Sequence, residues 1–169
     1  MADNSFTHRD IVAGICDGRR PSEFFVGRTR AFRDANVLPV LSRSAGGLAR
    51  YGDHARIIAA VCNVLMDWGL QHPQKLPPSA RANPSPSPLW AVSHALDATT
   101  LGFIVDSARS GRDWLLRLDL IPGENGEPTY LARPYPITEE ADYGLTPRGT
   151  TSTLSIGLSP LIARLTREG

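Results

Sequence analysis

Between Gly27 and Leu70 the chain reads GRTRAFRDANVLPVLSRSAGGLARYGDHARIIAAVCNVLMDWGL, and no other stretch restricts the fold as tightly. An arginine-studded helical segment gives way to a short turn, a glycine-rich hairpin closing in Arg50-Tyr51, and an amphipathic helix. Pro21-Ser22-Glu23 opens the first helix, with Ser22 expected as its N-cap. Phe24, Phe25, Ala31, Phe32 and Ala35 are expected to face the core, which leaves Arg28, Thr29, Arg30 and Arg33 projecting outward. Asn36 suits a left-handed C-cap and Pro39 stops the helix. Val40-Leu41 and Leu48–Tyr51 flank Ser44-Ala45-Gly46-Gly47, where the paired glycines supply the positive φ that hairpin turns need. Asp53 is expected to cap a helix with Ile57, Ile58, Val61, Leu65 and Trp68 on one side, ending near Gly69. Upstream, Thr7-His8-Arg9-Asp10 forms a capping box with Asp in place of the usual Glu, and Ile11, Val12 and Ile15 give an apolar stripe that ends at Asp17-Gly18.

Charge is distributed unevenly. Eight arginines (19, 20, 28, 30, 33, 43, 50 and 56) stand against Glu23, Asp34 and Asp53 between positions 19 and 56, while the whole chain carries a net charge of only +1. A local basic block inside a near-neutral chain is what a confined phosphate-contacting surface looks like. The preference for arginine runs through the entire sequence, whose sole lysine is Lys75, so it is the clustering that points to a partner.

Six prolines fall between positions 71 and 88, in QHPQKLPPSARANPSPSP. Each removes a backbone donor and fixes φ, so the segment reads as a semi-extended linker between units at 1–70 and 89–169. Past it, Leu89–Leu101 reads as a helix, and the period then drops to two. Phe103-Ile104-Val105, Trp114–Ile121, Thr129–Arg133 and Thr151–Leu158 read as strands, with a turn over 122–126 and a short helix at Pro160–Thr166. The fold class expected is α+β, with three or four antiparallel strands and a helix at each end in the second unit. An exposed edge on Trp114–Ile121 would let two copies join by sheet extension.

Arg28 to Pro39, RTRAFRDANVLP, resembles the recognition helix and following turn of MerR-type winged helix-turn-helix proteins. Gly47-Leu48-Ala49-Arg50-Tyr51-Gly52-Asp53 is similar to the end of that family's wing, and Asp53–Leu70 to the helix after it. The resemblance covers residues 6–70 and implies a helix entering the major groove with a hairpin wing against the neighbouring backbone. There are departures. The 17–22 connection is longer than the family's turn, Asn36 stands where glycine is usual, and the proline-rich segment replaces the dimerising coiled coil. No metal-binding cysteine loop follows.

The expected function is therefore sequence-specific binding of double-stranded DNA by a transcriptional regulator. The expected contacts are Arg19, Arg20, Arg28, Thr29, Arg30, Arg33, Ser42, Arg43, Ser44, Arg50 and Tyr51, with packing of the wing as the other role open to Tyr51. A small terminase subunit marking phage packaging sites is the alternative within DNA binding. A protein-interaction adaptor is the alternative outside it. Self-association through the second unit is expected, and RNA polymerase or another protein is a further partner this reading allows. No enzyme, metal or cofactor is expected: His8, His54, His72 and His94 are scattered, and Asp97, Asp106, Asp113 and Asp119 fall in no catalytic spacing. Cys16 and Cys62 read as reduced core residues, and Glu139-Glu140-Ala141-Asp142 as a solvated loop. A polar N-terminus and the lack of a long apolar run suggest a cytoplasmic, nucleoid-associated location.

Overall fold

The structure, a computed structural model, describes residues 5–16, 18, 20–72, 80–123, 126–137 and 149–167. Arg19, positions 73–79 of the proline-rich segment, and the acidic run at 139–142 lie outside these residues.

Helix α1 (His8–Ile15) starts at the expected capping box: Thr7 Oγ1 accepts from Asp10 N–H, and Asp10 Oδ2 accepts from Thr7 N–H at 2.7 Å. Helix α2 (Ser22–Asp34) places Pro21, not Ser22, at its N-cap position, and no side chain caps it. Its core face is Phe25, Thr29 and Phe32, one heptad-like stripe, so Phe24 and Ala31 turn outward instead of inward. Phe25 and Phe32 are fully buried, worth about 1.5–3 kcal/mol each, which sets the rotation of the helix. Asn36 takes φ 52°, the left-handed geometry expected of it, and Val37 N–H closes the end onto Phe32 C=O at 2.9 Å.

Strands β1 (Val40–Arg43) and β2 (Ala49–Tyr51) form the antiparallel hairpin, with Gly47 at φ 76° in its turn. Leu41 is the extra residue of a bulge between Val40 and Ser42. Phe6 exchanges two backbone bonds with Tyr51, at 2.7 and 2.9 Å, and so ties the start of α1 to the hairpin base. Helix α3 (Asp53–Asp67) has Gly52 at its N-cap and Asp53 in its first turn, not as the cap.

Residues 55–62 and Leu65 of α3 are all buried, far more than one amphipathic stripe; Trp68, expected inside, is 49% exposed. A helix buried all round needs neighbours all round. Contacts from α1, α2 and β2 cover part of it, and helices α4 (Pro88–Ala95), α5 (Ala98–Arg109) and α6 (Leu158–Arg167) cover the rest. Gly14 of α1 marks one crossing: a Cβ there would lie 3.4 Å from both Arg56 Nε and Leu165 Cδ2. The consequence is one continuous core, from Phe25 and Ile58 to Leu116 and Leu158. Tethered independent units are therefore not what the described residues form. The end of the expected linker is itself built in, with Ser85 and Ser87 fully buried.

The expected helix over 89–101 is two helices, α4 (Pro88–Ala95) and α5 (Ala98–Arg109). Asp97 starts the second by accepting from Thr100 N–H at 2.8 Å. Phe103-Ile104-Val105 is correspondingly helical, not a strand. Leu101 and Ile104, three apart, are its buried pair, and Gly111 at φ 87° follows its end.

Strands β3 (Trp114–Pro122), β4 (Pro128–Pro136) and β5 (Ser152–Gly157) form an antiparallel sheet in the order β4-β3-β5, followed by α6 (Leu158–Arg167). β3 is thus central and offers no edge, contrary to the expectation for Trp114–Ile121. Leu116, Leu118, Ala132 and Ile156 enter the core. Arg117 and Asp119, at alternate positions on the strand, are also buried. Asp119 accepts from Arg117 Nε at 2.6 Å, Arg133 Nη2 at 2.8 Å and Thr153 Oγ1 at 2.6 Å. Burial alone would raise the Asp119 pKa, but these three donors outweigh it and hold the carboxyl below its ordinary range.

Candidate nucleic-acid interface

Helix α2 presents three surfaces, and only one suits an external partner. On the inner one, the Thr29 hydroxyl is fully buried and donates to Phe25 C=O at 2.8 Å. Thr29 is a satisfied core residue, which corrects its expected place among the DNA contacts.

The second surface lies against α3. Arg28 Nη1 donates to Asn63 C=O at 3.0 Å and to Asn63 Oδ1 at 2.7 Å, and pairs with Asp67 at 2.8 Å. Its side chain is only 12% exposed. Arg20 reaches the same Asp67 oxygen at 2.6 Å, and both guanidinium groups lie over the Phe24 ring, at 4.8 Å for Arg20 and 4.3 Å for Arg28. Burial pushes the Asp67 pKa up, yet the hydrogen bonds from Arg20 and Arg28 prevail and keep it low. Arg28 thus joins α2 to α3, which corrects its reading as an outward-facing phosphate ligand, and Arg20, in the connection before α2, is partly committed to the same carboxylate. Arg56 is likewise withdrawn from the basic block: it is buried, with its guanidinium 4.5 Å from the Phe6 ring.

The third surface carries Glu23, Gly27, Arg30, Ala31 and Asp34, all exposed. Among the described residues Arg30 has no hydrogen bond or ion pair, and no atom comes within 4 Å of a Cβ built on Gly27. Arg33 is held by Asp34 at 2.8–2.9 Å, but both are more than half exposed, so the pair is weak and readily exchanged.

The hairpin carries the remaining candidates. Arg43 Nη1 donates to Gly47 C=O at 3.2 Å near the tip. Ser42 is exposed opposite Arg50, while Ser44 Oγ accepts from Leu48 N–H at 3.1 Å and so helps close the turn. Tyr51 is 1% exposed, so it packs the hairpin onto the core rather than reaching outward. Its hydroxyl pKa is pushed up by burial against the pull of Arg33 and Arg43. His8 is pushed down by burial, then by Arg33 and Arg30. Arg30 and Arg33 thus act on His8, and Arg33 and Arg43 on Tyr51, at the corner where α1 begins and β2 ends. Two polar atoms buried there, His8 Nε2 and Tyr51 Oη, have no hydrogen-bond partner among the described residues.

Sequence reasoning did not find His8, because the Phe6–Tyr51 bridge that brings the start of α1 to the hairpin joins residues far apart in the chain. The Arg117–Asp119 pair was also missed, although opposite charges two apart on a strand share one face. The arginines of the corner suit it to anions. Among the described residues no three His, Cys, Asp or Glu side chains group as metal ligands, and no helix is long and apolar enough to cross a membrane. No protein-family model matches the chain, and neither a curated protein nor a solved structure matches it.

Proposed function

We propose that α1, α2, the hairpin and α3 act as a winged helix-turn-helix unit that binds double-stranded DNA, and that the chain is a transcriptional regulator. The observation that carries this reading is the set of cations around that corner: Arg30 without a partner among the described residues, Arg33 in a weak surface pair, and Arg43 on the hairpin. Gly27 and Ala31 leave the face beside Arg30 low enough for a close approach to a groove. The order of elements and the resemblance of residues 6–70 to MerR-type proteins point the same way. Arg50 and Ser42, on paired hairpin positions, are the further contacts.

Fluorescence anisotropy on duplex DNA over a salt series tests the proposal. With about four phosphate contacts, log K is expected to fall against log salt with a slope of roughly −3 to −4. Replacing Arg30, Arg33 and Arg43 together by alanine flattens that slope to about −1 while the circular dichroism spectrum stays unchanged. Binding that is weak and indifferent to the three substitutions rejects the reading and favours an adaptor.

A further inference from the structure

The two edges of the three-stranded sheet are finished in opposite ways. Along an antiparallel strand, alternate residues turn their N–H and C=O groups to alternate sides. Ile137 N–H donates to Asp113 C=O at 2.7 Å, in register with β3–β4, so odd-numbered residues of β4 bond to β3 and even-numbered ones face outward. On that outer edge Pro128, Pro134 and Pro136 have no N–H to offer. Tyr130 exchanges backbone bonds with Ser85 at 2.8 and 2.7 Å. The Asn83 carboxamide donates to Ala132 C=O at 2.7 Å and accepts its N–H at 2.9 Å. Every donor position on the β4 edge is thus either proline or occupied.

The same alternation turns the even-numbered residues of β3 toward β5. The register Leu116↔Ile156, Leu118↔Leu154 and Leu120↔Ser152 makes 152, 154 and 156 the inward positions. Thr153 and Ser155 then direct their N–H and C=O groups away from β3, and among the described residues nothing pairs with them. β5 reads STLSIG, without proline or charge, so it lacks the usual devices that keep an edge from pairing.

We infer that β5 is a two-fold interface with a second copy of this chain, joining two three-stranded sheets into one of six strands. Self-complementarity selects a second copy. With Leu154 on the axis, Thr153 of each strand lies opposite Ser155 of the other, and both outward residues of both strands are used. Leu154 also lines a cavity of about 240 Å³, with Trp68, Leu70, Leu118, Leu120 and Tyr130. The second Leu154, its neighbour across the axis, adds apolar surface at the margin of this cavity. A foreign peptide finds no charged side chain on β5 to recognise. The inference stands apart from the DNA reading; where both hold, the dimer carries two DNA-binding units.

Sedimentation equilibrium of the full chain without DNA tests it. The wild type is expected to be a dimer at micromolar concentration. Ser155→Pro removes an outward N–H and spares the β3 ladder, so the chain stays folded while its dimer dissociation constant rises by about tenfold or more. A second measurement keeps the test sound if that variant misfolds: in a Cys16→Ser background, Leu154→Cys cross-links to a disulfide dimer on mild oxidation and Ser155→Cys does not. A monomer at several times the working concentration overturns the inference. So does failure of Leu154→Cys to cross-link, or a dimer that survives Ser155→Pro unchanged.

Discussion

The indole N–H of Trp90 donates to the carbonyl of Ala35 at 2.7 Å, and the Ser93 hydroxyl donates to Val37 C=O at 2.5 Å. A helix leaves its last carbonyls without partners of its own, and α4 supplies donors at the end of α2. The helix that carries Arg30 and Arg33 is thereby held by the half of the chain beyond the proline-rich segment. Trp90→Phe keeps most of the ring but withdraws the donor. It is expected to lower stability by about 1–3 kcal/mol, read as a lower urea midpoint.

The buried Asp119 carboxylate is shared by Arg117, Arg133 and Thr153, so its removal unsettles three side chains at once. Asp119→Ala is expected to destabilise the fold by about 3–5 kcal/mol at neutral pH. Its folded pKa lies below the ordinary 3.8, so the carboxylate's contribution is complete above that value and is lost as pH falls through the folded one. The stability gap between wild type and Asp119→Asn is accordingly expected to narrow when denaturation is repeated in strong acid. A gap that is the same at both pH values would place the stabilisation outside the carboxylate charge.

What was legible in the sequence followed local rules. The Thr7–Asp10 box, the left-handed turn at Asn36, the hairpin around Gly47 and the period-two strands are each dictated by residues a few positions apart. The rotation of α2 was not legible, because adjacent Phe24 and Phe25 allow two phases and only packing against α1 and α3 selects Phe25. That choice then moved Thr29 inward and Arg28 sideways. The division of α4 from α5 was hidden for a related reason: Asp97 reads as a surface acid within one helix until its carboxylate is seen capping the next. The small residues Ala59, Ala60 and Cys62 hid the second buried face of α3, and with it the single core. Of the candidate site, the basic cluster was readable, but which arginines are spent internally depended on Asp67 and Asn63, far along the chain.

His72 reports on the junction between the halves through pH. Its ring lies 4.9 Å from that of Trp90, and its Nδ1 is 2.8 Å from the Ser87 hydroxyl that caps α4. Burial, then Arg81, pushes its pKa below the ordinary 6.5. A histidine lowered on folding favours the neutral state, so stability starts to fall as pH drops through 6.5 and keeps falling until the folded value is passed. His8, lowered by burial and by Arg33 and Arg30, contributes in the same direction. Replacing both histidines by glutamine is expected to flatten stability against pH on the acid side of 6.5. A slope unchanged in the double variant assigns that loss to other groups.

Thr29 and Arg30 are neighbours in sequence and opposites in role, which separates packing from DNA contact. Arg30→Ala removes an exposed cation that has no partner among the described residues. It is expected to leave the urea midpoint within error, weaken duplex binding at low salt, and reduce the magnitude of the salt slope by about 0.9. Thr29→Val removes a buried hydroxyl whose acceptor, Phe25 C=O, lies one helical turn back on the same helix. Its expected loss is about 0.5–1.5 kcal/mol of stability, with no change in salt slope. If Thr29→Val instead altered the slope as much as Arg30→Ala, the inward face of α2 would have to reach the duplex, and the buried Phe25–Thr29–Phe32 stripe could not persist in the complex.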